Sequence, residues 1–332
     1  MFNITNETII YVVCPAYKKT GGTELAHQLV NELSNDGVNA IITYYGSYDS
    51  NSPINPAFLE YVREFKMVAD IVDDKKNVLI VPEIQFDLVD KYQNIQKAIW
   101  WMSVDNYIKN DGFIGACRVN GFYKALRGVL SGRLKVKKKG FDKAIVHFYQ
   151  SAYALDFLKK SGVSQAYRLS DYINDSYLNT ITSQTHCRND VVLYNPKKGY
   201  GFTKKLMDAS NDIKWVPIEN LTTLQVRDLL EASKVYVDFG NHPGKDRFPR
   251  EAAIMGCCVI TGRRGSAAFH EDIPINDEYK FGESKSDIGE ILEKVRCCLG
   301  NYEEESKNFE EYKKMIRNEH NIFKEDVQAI IS

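Results

Sequence analysis

The stretch IIYVVCPAYKKTGGTELAHQLVNEL, residues 9–33, decides how the chain folds. Ile9–Cys14 is a short continuous apolar, β-branched run, the form taken by a strand buried on both faces. Lys18-Lys19-Thr20-Gly21-Gly22-Thr23-Glu24 reads as a turn, and Glu24–Leu33 carries Leu25, Leu29, Val30 and Leu33 along one helical stripe. Strand, glycine turn and helix open a βαβ unit, which calls for a parallel sheet covered by helices. Outward from it the alternation continues, with strands expected at Ala40–Tyr44, Asn77–Val81, Ala98–Trp101, Ala144–Phe148 and Tyr167–Ser170 and a helix at Ser151–Lys160. It then starts again: strands at Val191–Tyr194, Ile213–Pro217, Val235–Asp238 and Cys257–Thr261, helices at Thr203–Ala209, Thr223–Ala232 and Arg250–Met255.

Two rounds of alternation over 332 residues, more than one core usually serves, predict an α/β protein of two domains, each a parallel sheet covered by helices, with a cleft between them. The stretch from Tyr172 to Asn189 is polar and lacks apolar periodicity. The domains are therefore expected at 1–172 and 190–300 with a linker at 173–189, and the charged helical segment 301–332 is expected to pack back on the first domain.

Composition excludes little. Hydrophobic residues make up 44% of the chain, and 43 Lys and Arg face 44 Asp and Glu, so net charge names no partner and wholesale disorder is ruled out. Seven cysteines without CxxC spacing read as reduced thiols. The first apolar run is too short to span a bilayer and lacks the basic flank of a signal peptide, so a cytoplasmic protein is expected and Asn3-Ile4-Thr5, Asn6-Glu7-Thr8 and Asn174-Asp175-Ser176 are chance sequons.

In open α/β sheets ligands bind at the carboxyl ends of strands, so the loops after strands are the places to search. Gly21, Gly22 and Thr23 lie where a helix N-terminus offers free N–H groups and a positive partial charge. A turn with no ligand explains them equally. Lys197 and Lys198, in Asn195-Pro196-Lys197-Lys198-Gly199, are placed to neutralise a leaving diphosphate, or to be a solvated turn. Between Asp238 and Ala253 the chain packs two glycines, two prolines, His242, Lys245, Arg247, Arg250 and three acids, a density of special residues that favours function. Glu251 is expected in the first turn of the next helix, where its carboxylate can take both ribose hydroxyls or simply stabilise the helix N-terminus. Arg263, Arg264, Gly265 and Ser266 follow a buried strand and suit an anionic phosphate, with a solvated turn as the plain alternative.

In this order the features resemble the GT-B glycosyltransferases, above all the large retaining group that uses nucleotide-sugars. Gly21-Gly22-Thr23-Glu24 is similar to the family's N-terminal glycine turn, Lys198-Gly199 to its Lys-Gly after the first donor-domain strand, and the segment from Pro249 to Ile260 to its Glu-Ala, small helix, glycine and buried strand. The resemblance implies a GT-B fold, two Rossmann-like domains facing each other across a cleft, and a ribose-holding role for Glu251. The architecture covers the whole chain, whereas the specific matches are confined to these short loops. One departure stands out: the family's first glutamate is missing, and Asn241, His242 and Lys245 occupy its neighbourhood. His242-Pro243 is similar to a dipeptide of bacterial Kdo transferases, which use a CMP-sugar.

The resemblance implies a transferase of bacterial-type surface polysaccharide synthesis, with a nucleotide-sugar donor and a glycan or lipid-linked acceptor. Lys198, Arg247 and Arg263 or Arg264 would stabilise the departing phosphate, so no metal and no cofactor is expected. Losing one such contact costs about 3 kcal/mol of barrier, roughly a hundredfold in rate. Lys198→Ala and Arg247→Ala are therefore expected to depress turnover without unfolding the protein. An inverting reaction would need a base, for which Glu83 and Asp105 are candidates; Asp105 could instead cap a helix beginning near Asn106, and Glu83 could be an ordinary loop acid. His27 reads as structural. From Lys124 to Lys143, Lys124, Arg127, Arg133, Lys135, Lys137, Lys138, Lys139 and Lys143 oppose Asp142 alone. With Phe122, Leu126, Val129 and Leu130 beside them, they suit the anionic inner face of a membrane or a solvated basic loop. No nucleic-acid module accompanies them. A sugar-nucleotide epimerase and a non-catalytic nucleotide or glycan binder are the rival readings, whereas the absence of GxGxxG disfavours a nicotinamide dehydrogenase.

Overall fold

The computed structural model describes residues 1–48, 52–132, 134, 140–178 and 188–332. Contacts divide the chain into two compact units, Met1–Asp171 with Asn321–Ser332, and Tyr172–His320. In the first unit the elements are β1 (Ile10–Pro15), α1 (Gly21–Asn35), β2 (Ala40–Tyr45), β3 (Phe65–Met67), β4 (Val78–Pro82), β5 (Gln96–Trp101), α2 (Val104–Asn110), α3 (Phe113–Asn120), α4 (Phe122–Leu130), β6 (Val146–Tyr149), α5 (Ala152–Lys160) and β7 (Ala166–Arg168). Its strands form a parallel sheet in the order β3-β2-β1-β4-β5-β6-β7, so the winding reverses between β1 and β4.

Local chemistry explains the elements. Ile10, Tyr11, Val12 and Val13 are all buried, as befits a central parallel strand covered on both faces. Helix α1 starts where Thr20 and Thr23 form a reciprocal capping box, and it stops at Asp36, after which Gly37 takes the left-handed φ of +81° that a side chain would resist.

The second unit contains α6 (Asp175–Leu178), β8 (Asn189–Tyr194), α7 (Tyr200–Asp208), β9 (Trp215–Pro217), α8 (Thr223–Glu231), β10 (Ser233–Asp238), α9 (Arg247–Ile254), β11 (Cys258–Gly262), β12 (Lys280–Phe281), α10 (Ile288–Gly300) and α11 (Tyr302–Glu305). Its parallel sheet runs β12-β11-β10-β8-β9 and reverses between β8 and β10. The last helix, α12 (Glu310–Ile331), supplies Tyr312 and Ile316 to the second core, while its later part belongs to the first unit, where Asp326 accepts from Arg168 Nε (2.7 Å) and the Ser170 amide (2.9 Å).

The α/β class read from the alternation is what the structure shows, with local differences. Strands β3 and β12, three and two residues long, are too short for any periodicity to reveal. Residues 104–130 form three helices, of which only one, beginning near Asn106, was offered by the sequence, and α4 carries the start of the basic stretch. Ile173 and Tyr177, in the expected linker, pack into the second core, and 179–187 lie outside the described residues. So do Arg133, Lys135, Lys137, Lys138 and Lys139 of the basic stretch. Cys14, Cys117, Cys257, Cys258, Cys297 and Cys298 are free thiols.

Candidate active site

The crevice of an open parallel sheet lies where the strand order reverses, because the flanking loops leave in opposite directions there. In the second unit the loops after β8 and β10 meet at that point. Gly199 has a left-handed φ of +64°, and a Cβ on it would sit 2.6 Å from the Gly240 nitrogen and the Phe239 carbonyl carbon. A side chain on Gly240 would in turn run into the methylenes of Lys198. Both glycines are required because two backbones press together.

This apposition delivers Lys198 into a buried polar cluster. Its Nζ lies 3.0 Å from Asp238 Oδ2, hydrogen-bonds Asp246 Oδ2 at still shorter range, and is 3.4 Å from His242 Nδ1. His242 is fully buried, its Nδ1 2.9 Å from Asp246 Oδ2. Burial disfavours the lysine's charge, but the carboxylates of Asp238 and Asp246 outweigh it and hold the ammonium above its ordinary pKa. Burial likewise pushes Asp246 up, and Lys198 and His242 reverse this and hold its carboxyl low. Asp238, His242 and Asp246 are metal-ligand types within 4.8 Å of one another. Here the lysine ammonium bonds both carboxylates and supplies the positive charge.

Helix α9 begins at Arg247, so Glu251 lies in its second turn and not in the first, as expected from a start at Arg250. Pro249 is tolerated in that first turn, where its missing N–H has no partner to lose. Stabilising the helix N-terminus therefore no longer accounts for Glu251. Arg247 and Glu251 are half-buried. Lys197 is exposed, in a turn where Asn195 Oδ1 accepts its backbone amide at 3.0 Å.

The loop after β11 is tied to the same cluster. Ser266 donates its amide to the His242 carbonyl (2.9 Å) and its hydroxyl to the Gly244 carbonyl (2.6 Å). Gly265, at φ +61°, lies directly on that His242 carbonyl. The two arginines are engaged by acids: Arg263 Nη1 with Asp277 (2.9 Å), and Arg264 with both oxygens of Glu283 in a fork.

In the first unit the reversal between β1 and β4 brings together Gly21 and Gly22, at the start of α1, with Glu83, directly after β4. A Cβ on Gly22 would lie 3.6 Å from Met102 Sδ, and Glu83 Oε2 accepts the Met102 amide at 3.2 Å. Asp105 lies in the first turn of α2, whose cap is Ser103, and accepts from Tyr153 Oη at 2.8 Å. The capping role open to Asp105 is thus taken by Ser103. His27 is structural: Nδ1 bonds the Thr23 carbonyl (2.6 Å), and Nε2 the Tyr44 hydroxyl (2.7 Å).

Burial pushes the Glu83 carboxyl up to about 8. Because its folded pKa lies above the unfolded value, the native state holds the extra proton between about pH 4.5 and 8, and stability falls as pH rises through that window. Thermal midpoints measured from pH 5 to 8.5 should decline for the wild type and decline less for Glu83→Gln; parallel curves would remove this assignment.

Sequence reasoning found Lys198, His242, Gly265 and Ser266 and brought them to one place, but missed the two acids that hold the lysine. Asp238 and Asp246 were visible in the sequence as members of a dense loop, yet pairing between residues 40 and 48 positions away from Lys198 has no local signature.

No protein-family model and no curated protein matches the sequence. Solved structures do. Sucrose-phosphate synthase from Thermosynechococcus elongatus has a TM-score of 0.64 at 12% identity, with 98% of each chain covered. A glycosyltransferase from Rickettsia africae gives 0.60 at 13%, covering 98% of this chain and 97% of its own. Anabaena HepE in complex with UDP-glucose gives 0.61 at 11%, covering 97% and 99%. A TarM variant from S. aureus, in complex with UDP among other ligands, gives 0.51 at 14%; the chain spans 55% of that protein's length. At such identities the likeness speaks for architecture, and the architecture is that of the GT-B glycosyltransferases.

Proposed function

We propose that this chain is a glycosyltransferase that moves a sugar from a nucleotide donor, bound by the second unit, to a glycan or lipid-linked acceptor bound by the first. The observation that carries the reading is the meeting of the β8, β10 and β11 loops around Lys198 at the sheet's reversal point, on a fold shared with a protein solved with UDP-glucose. A buried ammonium is worth more against the growing charge of a leaving diphosphate than one in water. With two carboxylates and one ammonium the cluster is not a ready anion site, so the donor's phosphates replace at least one carboxylate on Lys198 as they bind. Arg247 and the Gly265 amide complete the anion's partners, while the Ser266 amide stays on the His242 carbonyl and holds the loop in place; Lys245, Arg263 and Arg264 line its approach, and Glu251 takes the ribose. Glu83, holding its proton to about pH 8, would serve as a base only in alkali, so a route through it predicts turnover rising through that pH; Asp105 is the alternative base.

The test is a thermal-shift screen over UDP-, GDP-, CMP- and dTDP-sugars. One series should raise the midpoint by mass action, and donor should then be consumed only when an acceptor is present. Consumption of donor alone would make the chain an epimerase, and binding without consumption a non-catalytic partner. No shift with any of the four sinks the donor-site reading.

We place the enzyme in the cytoplasm, at the inner face of a membrane, serving surface polysaccharide synthesis. What favours this is the face of α3 and α4: Ile114 is 70% exposed, Tyr123 86% and Leu130 80%, beside Arg118, Lys124 and Arg127. No described helix is long and apolar enough to cross a bilayer, so attachment would be interfacial. Sedimentation with anionic vesicles should occur at low salt and weaken in Lys124→Glu/Arg127→Glu; absence at every salt concentration would rule the membrane out.

A further inference from the structure

We infer that Glu319, on α12, is a positioning residue for the donor site: through Arg250 it fixes the backbone of Asp246, and through Asp246 it fixes the Lys198 ammonium. This rests on the donor-site reading for its purpose, though not for its test. Glu319 and Arg250 are both fully buried, with Arg250 Nη1 donating to Glu319 Oε2 at 2.8 Å. The guanidinium bends back over the start of its own helix, where Nη2 donates to the Lys245 carbonyl (2.9 Å) and Nε to the Asp246 carbonyl (3.2 Å). Glu319 Oε1 lies 2.7 Å from Lys245 Nζ. One carboxylate therefore meets two cations, Lys245 of the loop after β10 and Arg250, which grips the end of that loop.

What that grip achieves shows at Asp246. It occupies the N-cap of α9, where an aspartate ordinarily turns its carboxylate onto the first free amides of the helix. It makes no such bond. Its carboxylate instead reaches Lys198 and His242. An N-cap aspartate released from capping needs its main chain held in place by something else, and the Arg250 fork, anchored by Glu319, does so from the far side. Arginine's planar fork is required, since a lysine could satisfy the carboxylate but not two carbonyls at once.

The test reads Lys198 directly and uses no nucleotide. The full chain is labelled with ¹⁵N at lysine Nζ, and the Lys198 resonance is assigned by its loss in Lys198→Arg. Held by two carboxylates, the wild-type ammonium should give a slowly exchanging signal. In Glu319→Gln and in Arg250→Lys its exchange with water should rise about tenfold or more, with the buried Lys280 signal unchanged and Glu319→Asp largely restoring the wild-type rate. Arg250→Lys keeps both charges and carries the test if Glu319→Gln fails to fold. A folded variant of either kind with the Lys198 signal unmoved, or a wild type without a protected signal, overturns the proposal. A chain that passes here and fails the nucleotide screen refutes the donor reading alone.

Discussion

Lys198→Ala should lose roughly a hundredfold or more in turnover and, contrary to what its sequence position suggests, should also lose stability. On the donor-site reading proposed above, the rate effect follows from removing a cation preorganised against the leaving phosphate, about 3 kcal/mol of barrier. The stability effect follows from burial. Asp238 is 3% exposed, and Asp246 and His242 face inward with it, so deleting the ammonium strands two carboxylates. Breaking a buried pair in this way costs about 3–5 kcal/mol. The sign with pH is diagnostic. In the wild type Asp246 titrates below its ordinary value, so its contribution is present above the unfolded pKa and is lost as pH falls. Without Lys198, burial raises that pKa, and the variant gains relative stability as pH drops towards 5. Denaturation curves at pH 5 and pH 8 should show the gap between wild type and variant narrowing at the lower pH. An equal gap at both would mean that the lysine does not hold the acids.

Gly265→Ala should be the most damaging single methyl group at the site. It forces a non-glycine residue to φ +61° and drives its Cβ into the His242 carbonyl, which already accepts the Ser266 amide. Left-handed strain of about 1–3 kcal/mol adds to about 1 kcal/mol for the disturbed hydrogen bond. Because the displaced atom belongs to the chain between Gly240 and Asp246, the variant should also bind donor more weakly. Gly201→Ala is the matched control: it lies in α7 with nothing within 4 Å of the added carbon, so helix propensity alone should stabilise it by about 0.5–1 kcal/mol. Chemical denaturation of the pair should give shifts of opposite sign; a Gly265→Ala midpoint equal to the wild type would remove the close approach of the two loops.

Much of this was legible along the chain. Parallel strands buried on both faces must be apolar throughout, and helices between them must carry an apolar stripe, so residues 9–33 already announce a sheet with crossovers. Loops after such strands are where function concentrates, which led to Lys198, His242 and Gly265. Less was legible at edges and caps. Helix α9 starts at Arg247, three residues before the expected Arg250, which moves Glu251 into the second turn. The helices of 104–130 were hidden because α4 turns Ala125 inward and leaves Phe122, Leu126 and Leu130 exposed, the reverse of the usual stripe.

Local pattern therefore settled the class, the strand sequence and the loops worth searching, since each depends on neighbours a few residues apart. Only the tertiary structure decided that Lys198 is bound by Asp238 and Asp246, that both loop arginines are already engaged by acids, and that Glu319 reaches the loop after β10 through Arg250. Charges attract whatever the fold brings near, and pairing across 14 to 69 residues leaves no trace in the order of the residues.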